Sequence, residues 1–192
     1  MTDGCCRTGK HVFYAWTDPA DAAAVGAAFV SAARPGDACV FFGDELTAAT
    51  LRARLARPGA PDRRPRDFVH IRPDEVFGVG CASPIGGLIA LRDRLNREAV
   101  AQSRQVRMVI VPGADADDTE VRDRAEAFES MFTGWGQPPP TVLALCLYDA
   151  RIYAPDLLDL ASAAHPWTMR DGHIVANPLH ADPVPDSGSR VA

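Results

Sequence analysis

The chain has 192 residues, 47% of them hydrophobic and 23% charged, with a net charge of −5. That is enough for one domain with a proper core, and the dispersed arginines form no basic stripe for nucleic acid. Its longest apolar runs are strand-sized, too short to span a membrane.

The first residues, MTDGCCRTGKH, lack the apolar middle of a secretory signal, so a cytoplasmic protein is expected. Residues 1–10 read as a flexible N-terminus, 11–180 as a single domain and 181–192 as a disordered tail. Gly4 to His11 nearly spells the phosphate-binding loop G-x-x-x-x-G-K-[ST]. That loop works only between a strand and a helix. Here three residues precede Gly4, a strand follows Lys10, and His11 replaces the magnesium-binding hydroxyl. A nucleotide site is rejected.

His11–Trp16 is the first strand. Asp18 and Pro19 suit the cap and first position of a helix, whose apolar stripe runs through Ala22, Val25, Gly26, Phe29, Val30 and Ala33 until Arg34-Pro35-Gly36 stops it. Asp37–Phe42 is a strand apolar on both faces, and Thr47–Leu55 is the next helix. A polar loop leads to a third strand at Asp67–Arg72, and residues 73–84 read as irregular. Ser83-Pro84 opens a helix to about Gln102, with Gly86-Gly87 weakening its first turn.

The fourth strand is Val106–Val111. Asp115, Asp117 and Asp118 lack the calcium-loop pattern and read as solvated acids before a helix at Thr119–Phe132. A fifth strand, Thr141–Tyr148, precedes a helix from Pro155 to about Ala164. Trp167–Arg170 and His173–Ala176 then flank Asp171-Gly172, a two-residue hairpin signal. The alternation predicts an α/β fold: a mostly parallel five-stranded sheet in three layers, helices on both faces, and an appended C-terminal hairpin.

Five cysteines form no Cys-x-x-Cys pair and match no histidine spacing, so no metal or other cofactor is expected. Cys39 and Cys146 lie in apolar strands and read as core thiols.

Ligands of such sheets bind beyond the carboxyl ends of the strands. Trp16, Asp18, Asp44, Tyr148 and Asp149 fall there, and His165 closes the following helix. A ring wall, a phenol, carboxylates and a titratable donor suit a small, partly apolar ligand. Each also has an ordinary structural alternative. Asp149 suits a turn cap, Tyr148 edge packing, and His165 a helix end.

With those residues in view, the chain resembles the MEDS family, the sensory domain of a dichloromethane-responsive regulator of methylotrophs and related regulators. Cys146-Leu147-Tyr148-Asp149 is similar to that family's Cys-Gln-Tyr-Asp segment, with Leu147 in place of Gln. His165-Pro166, Asn177-Pro178 and Phe128-Glu129 correspond to its His-Pro, Asn-Pro and aromatic-Glu elements, which adds Glu129 to the candidate site. The resemblance implies a RecA-like fold that has lost its phosphate-binding loop. Consistent with that, Thr17-Asp18-Pro19-Ala20-Asp21 carries carboxylates after the first strand, and Val111-Pro112 ends the fourth without a magnesium-binding acid.

The expected function is a non-catalytic sensory domain that binds a small molecule and acts in trans on a regulatory partner. The alternative is a ligand-independent interaction module for a kinase-like or anti-sigma partner; a degenerate nucleotide-binding protein ranks third. Trp167 and Ile174 offer either a partner contact or cover for the sheet edge. Cys146 with His165 invites a thiol-nucleophile reading, which the apolar setting of Cys146 opposes.

Overall fold

The computed structural model describes residues 10–56, 68–77, 84–112 and 141–180. Seven strands form one sheet in the order β3-β2-β4-β5-β1-β6-β7. They are β1 (Lys10–Trp16), β2 (Ala38–Phe42), β3 (Phe68–Ile71), β4 (Val106–Ile110), β5 (Val142–Asp149), β6 (Trp167–Arg170) and β7 (His173–Ala176). Every neighbouring pair is parallel except β6–β7.

The helices are α1 (Pro19–Ser31), α2 (Glu45–Leu55), α3 (Pro73–Phe77), α4 (Pro84–Ala101) and α5 (Pro155–Ala164). The sheet alternation divides the core in two. Val40, Phe42, Met108, Ile110, Cys146 and Tyr148 face α4 and α5. Cys39, Phe41, Val109, Leu145 and Leu147 face α1 and α2. Helices thus cover both faces, as expected for three layers.

Two elements differ from the sequence reading. The hairpin is not an appendage: β6 pairs with β1 through Val12↔Trp167 and Phe13↔Thr168, extending the sheet from five strands to seven. Its turn has φ of 49° at Asp171 and 75° at Gly172, the left-handed pair that a two-residue hairpin requires. Trp167 and Ile174 are buried against the α1 layer, so they cover the sheet edge and are not available to a partner.

The second difference is α3, within a stretch read as irregular. The sequence offers Pro73 in the first helical position, and Glu75 Oε1 accepts from the Arg72 backbone N–H at 3.1 Å. That is one half of a capping box, easily overlooked in so short a segment. The expected helix at 119–132, with Glu129, lies outside the described residues, as do Gly4–Gly9 of the stretch that nearly spells a phosphate loop.

Gly87, which weakens α4 by propensity, has a packing reason. A Cβ added there would lie 2.3 Å from the Val76 carbonyl oxygen of α3. Alanine normally gains about 1 kcal/mol over glycine inside a helix, but here the clash reverses the sign. Gly87→Ala should destabilise the chain by about 1–3 kcal/mol, lowering Tm by roughly 2–4 °C for each kcal/mol. Thermal unfolding followed by circular dichroism tests this; a raised Tm would show that α3 yields without cost.

Candidate functional site

β1 and β5 run side by side and end together, with Trp16 opposite Asp149. Just past that end the chain turns, and Ala150 N–H donates to the Trp16 carbonyl at 2.8 Å. Asp149 is buried and accepts from Arg151 three times: at Oδ1 from the backbone N–H (2.9 Å) and Nε (2.8 Å), and at Oδ2 from Nη2 (2.6 Å). The fork geometry makes this a strong charge-assisted pair. Arg151's side-chain hydrogen bonds hold the Asp149 carboxyl below its ordinary range. The guanidinium also lies 4.8 Å from the centre of the Trp16 ring, a cation–π arrangement.

The Trp16 indole N–H is buried and, among the described residues, has no hydrogen-bond acceptor. Such a group carries a cost of about 1–3 kcal/mol until something satisfies it. Asp18, next to this assembly, caps α1 by accepting from Ala20 N–H at 2.9 Å; the hydrogen bonds to Asp149 favour protonated Arg151, and the Asp18 charge adds to them.

Tyr148 and His165 gather elsewhere. Successive strand residues face opposite sides, so Tyr148 points away from Asp149 into the α4–α5 core, where it is fully buried. Its ring centroid is 6.0 Å from that of His165, 5.3 Å from Phe13 and 5.2 Å from Tyr153. Tyr153 in turn donates its hydroxyl to the Pro112 carbonyl. His165 stacks on His11 with centroids 3.7 Å apart, and His11 Nε2 is 3.2 Å from Cys146 Sγ. Burial lowers the basicity of both imidazoles: His165 to about 3, and His11 well below 6.5, with the nearby His165 adding to the effect.

Asp44 sits apart from both groups and caps α2, accepting from Thr47 N–H at 2.7 Å and Thr47 Oγ1 at 2.6 Å. The structure therefore joins Trp16, Asp18 and Asp149 in one assembly and Tyr148 with His165 in another. Arg151 and His11 were missed from the sequence. Arg151, two residues beyond a candidate carboxylate, was a readable signal; His11 was hidden, because its partner Cys146 is 135 residues away. An open cavity of about 370 Å³ lies between α3 and α4, against Ile71, Val76, Leu91 and Arg94. None of the described candidate residues borders it.

The chain matches, over residues 10–166, the family described as MEDS, the methanogen/methylotroph DcmR sensory domain. The chain belongs to the MEDS family. That assigns it a sensory, signalling role. The matched range takes in β1, β5 and α5 and closes at His165-Pro166, while Asn177-Pro178 lies beyond it. No curated protein and no solved structure matches the chain. Among the described residues no helix is long and apolar enough to cross a membrane.

Lys10, the residue that imitated a phosphate-loop lysine, opens the first strand of this MEDS domain. It is buried with Nζ 3.7 Å from the Trp167 ring centre.

Acid should unfold the domain through its two buried imidazoles. Unfolded histidine titrates near 6.5, whereas folded His165 titrates near 3. Between those values the unfolded chain binds more protons, so stability falls as pH falls through this window. Above about pH 6.5 both states are neutral and the effect vanishes. Urea midpoints measured from pH 7.5 to 4 should decline steadily below about 6.5. A flat profile would show that the pair is protonated, or exposed, in the folded state.

Proposed function

We propose that this MEDS domain is a non-catalytic sensor: it binds a small, partly apolar molecule at the carboxyl ends of β1 and β5 and transmits that event to a regulatory protein in trans. One observation carries the choice of site. The Asp149–Arg151 fork rests on Trp16, whose buried indole N–H lacks an acceptor among the described residues. A ligand with an acceptor oxygen or halogen would satisfy that N–H and lay its apolar body on the indole. Arg151, 51% exposed at its side chain, is able to leave the fork as the ligand enters. Its movement would change the surface seen by a partner. A covalent route through Cys146 is disfavoured, since that thiol is fully buried and a thiolate there would be desolvated.

A ligand-independent interaction module is the second reading. It is favoured by apolar exposure at the same end of the sheet, with Leu46 at 79% and Ile152 at 49%.

Native mass spectrometry and thermal shift across small alcohols, carboxylic acids and haloalkanes separate the two. At least one compound should bind the wild-type chain. Trp16→Phe, which keeps a ring but removes the N–H, should weaken it about fivefold to tenfold, the equivalent of one hydrogen bond. Arg151→Ala should alter affinity and also lower Tm, because it leaves the buried Asp149 carboxylate with only the backbone N–H of residue 151 as a partner. If nothing in the panel binds, or both variants bind as the wild type does, the sensor site is wrong and the interaction module takes its place.

A further inference from the structure

His11, Cys146 and His165 come from β1, β5 and the residue that closes α5, and they converge inside the core. One ligand atom from each, a ring nitrogen from both histidines and the thiol Sγ, lies within 4.8 Å of the others. All three residues are buried, at 2%, 0% and 0% exposure. His165 donates from Nδ1 to the Ala161 carbonyl at 2.6 Å, which leaves the lone pair on Nε2. A hydrogen bond on the far ring nitrogen is how metal-binding imidazoles are usually oriented. The backbone at His165 is held as well: Asn177 Nδ2 donates to the carbonyls of His165 (2.9 Å) and Ser162 (2.7 Å).

We propose that His11, Cys146 and His165 form a binding site for a single copper(I) ion. Two imidazoles and a thiolate select soft or borderline ions over magnesium or calcium. Charge then separates copper(I) from zinc(II). One thiolate neutralises a monovalent ion, but with a divalent ion it leaves a net positive charge in the core, which is costly without a counter-ion. Coordination number points the same way. Zinc in structural sites takes four ligands, and among the described residues no fourth histidine, cysteine or carboxylate joins the group. Copper(I) is satisfied by three.

On binding, an S–Cu bond replaces the Cys146 S–H bond and the proton leaves to solvent. Copper stays in the +1 state, so no oxidant or reductant is required. With metal–ligand lengths near 2.0–2.3 Å, the donors of a three-coordinate site stand about 3.5–4 Å apart. The widest gap, at most 4.8 Å, closes by about 1 Å, while His11 Nε2 and Cys146 Sγ, 3.2 Å apart, separate slightly as the stacked imidazoles splay. The ion would tie the first strand to the central strand and to the α5–β6 junction. It would do so beside Phe13 and Tyr148, whose rings lie 5.6 and 6.0 Å from that of His165.

The test is an anaerobic copper(I) titration against the chelator bathocuproine disulfonate. It uses the full chain with Cys5→Ser, Cys6→Ser and Cys81→Ser, so that those thiols take no copper. One ion per chain should bind, with an X-ray absorption shell of one sulfur and two nitrogens. Cys146→Ala should abolish binding. His165→Gln should weaken it by more than the roughly 100-fold that loss of an outer-shell partner costs elsewhere. Cys39→Ala, which alters the opposite face of the sheet, should leave it unchanged. Absence of binding, a shell of sulfur alone, or retention after Cys146→Ala would overturn the proposal. So would zinc(II) binding that depends on Cys146 and excludes copper(I). The absorption shell is read on the chain that retains Cys146, so the test stands even where a core substitution fails to fold.

Discussion

β5 has a strand on each edge and a packed layer on each face, and all eight of its residues from Val142 to Asp149 are buried. Its residues have little access to water, so anything other than a hydrocarbon must find its main partner within the protein. Leu143, Leu145 and Leu147 meet that demand by being apolar toward α1 and α2. On the other face Cys146 meets it through His11, and at the strand end Asp149 meets it through Arg151. These polar contacts are therefore arranged around one strand with little access to water.

The strand pleat separates that chemistry into two levels. Trp16, Asp149 and Arg151 lie at the carboxyl end, partly open, with a fork that is able to reopen. One residue earlier, Tyr148 turns inward to a dry cluster of aromatic rings with Cys146, His11 and His165. The upper level is partly exposed and the lower is closed to solvent. β1 and β5 contribute to both, so strain at either level is felt by the same pair of strands. A rigid pair of central strands joins the two clusters.

Much of the frame was legible. Continuous apolar runs such as Ala38–Phe42 and Val142–Leu147 call for strands covered on both faces. Asp18-Pro19 marks a helix start, and Asp171-Gly172 marks a hairpin turn. Where the reading went wrong, the deciding contact was distant. Nothing near Trp167 indicates that it pairs beside Val12, so the hairpin looked like an appendage. Gly87 looked like a helix defect until Val76 came to lie against it. Tyr148 and Asp149, adjacent in sequence, looked like one site, although a strand sends neighbours to opposite faces.

The sequence by itself determined the α/β class, most of the described element positions and membership of the family, because these rest on local spacing and short motifs. Only the tertiary structure decided which polar groups meet. The contacts between Trp16 and Arg151, and between His11 and Cys146, form only after parallel strands bring distant segments into register. Burial then sets their properties: it withholds protons from the two histidines and shuts Cys146 away from solvent. Those energies depend on surroundings that local sequence spacing does not encode.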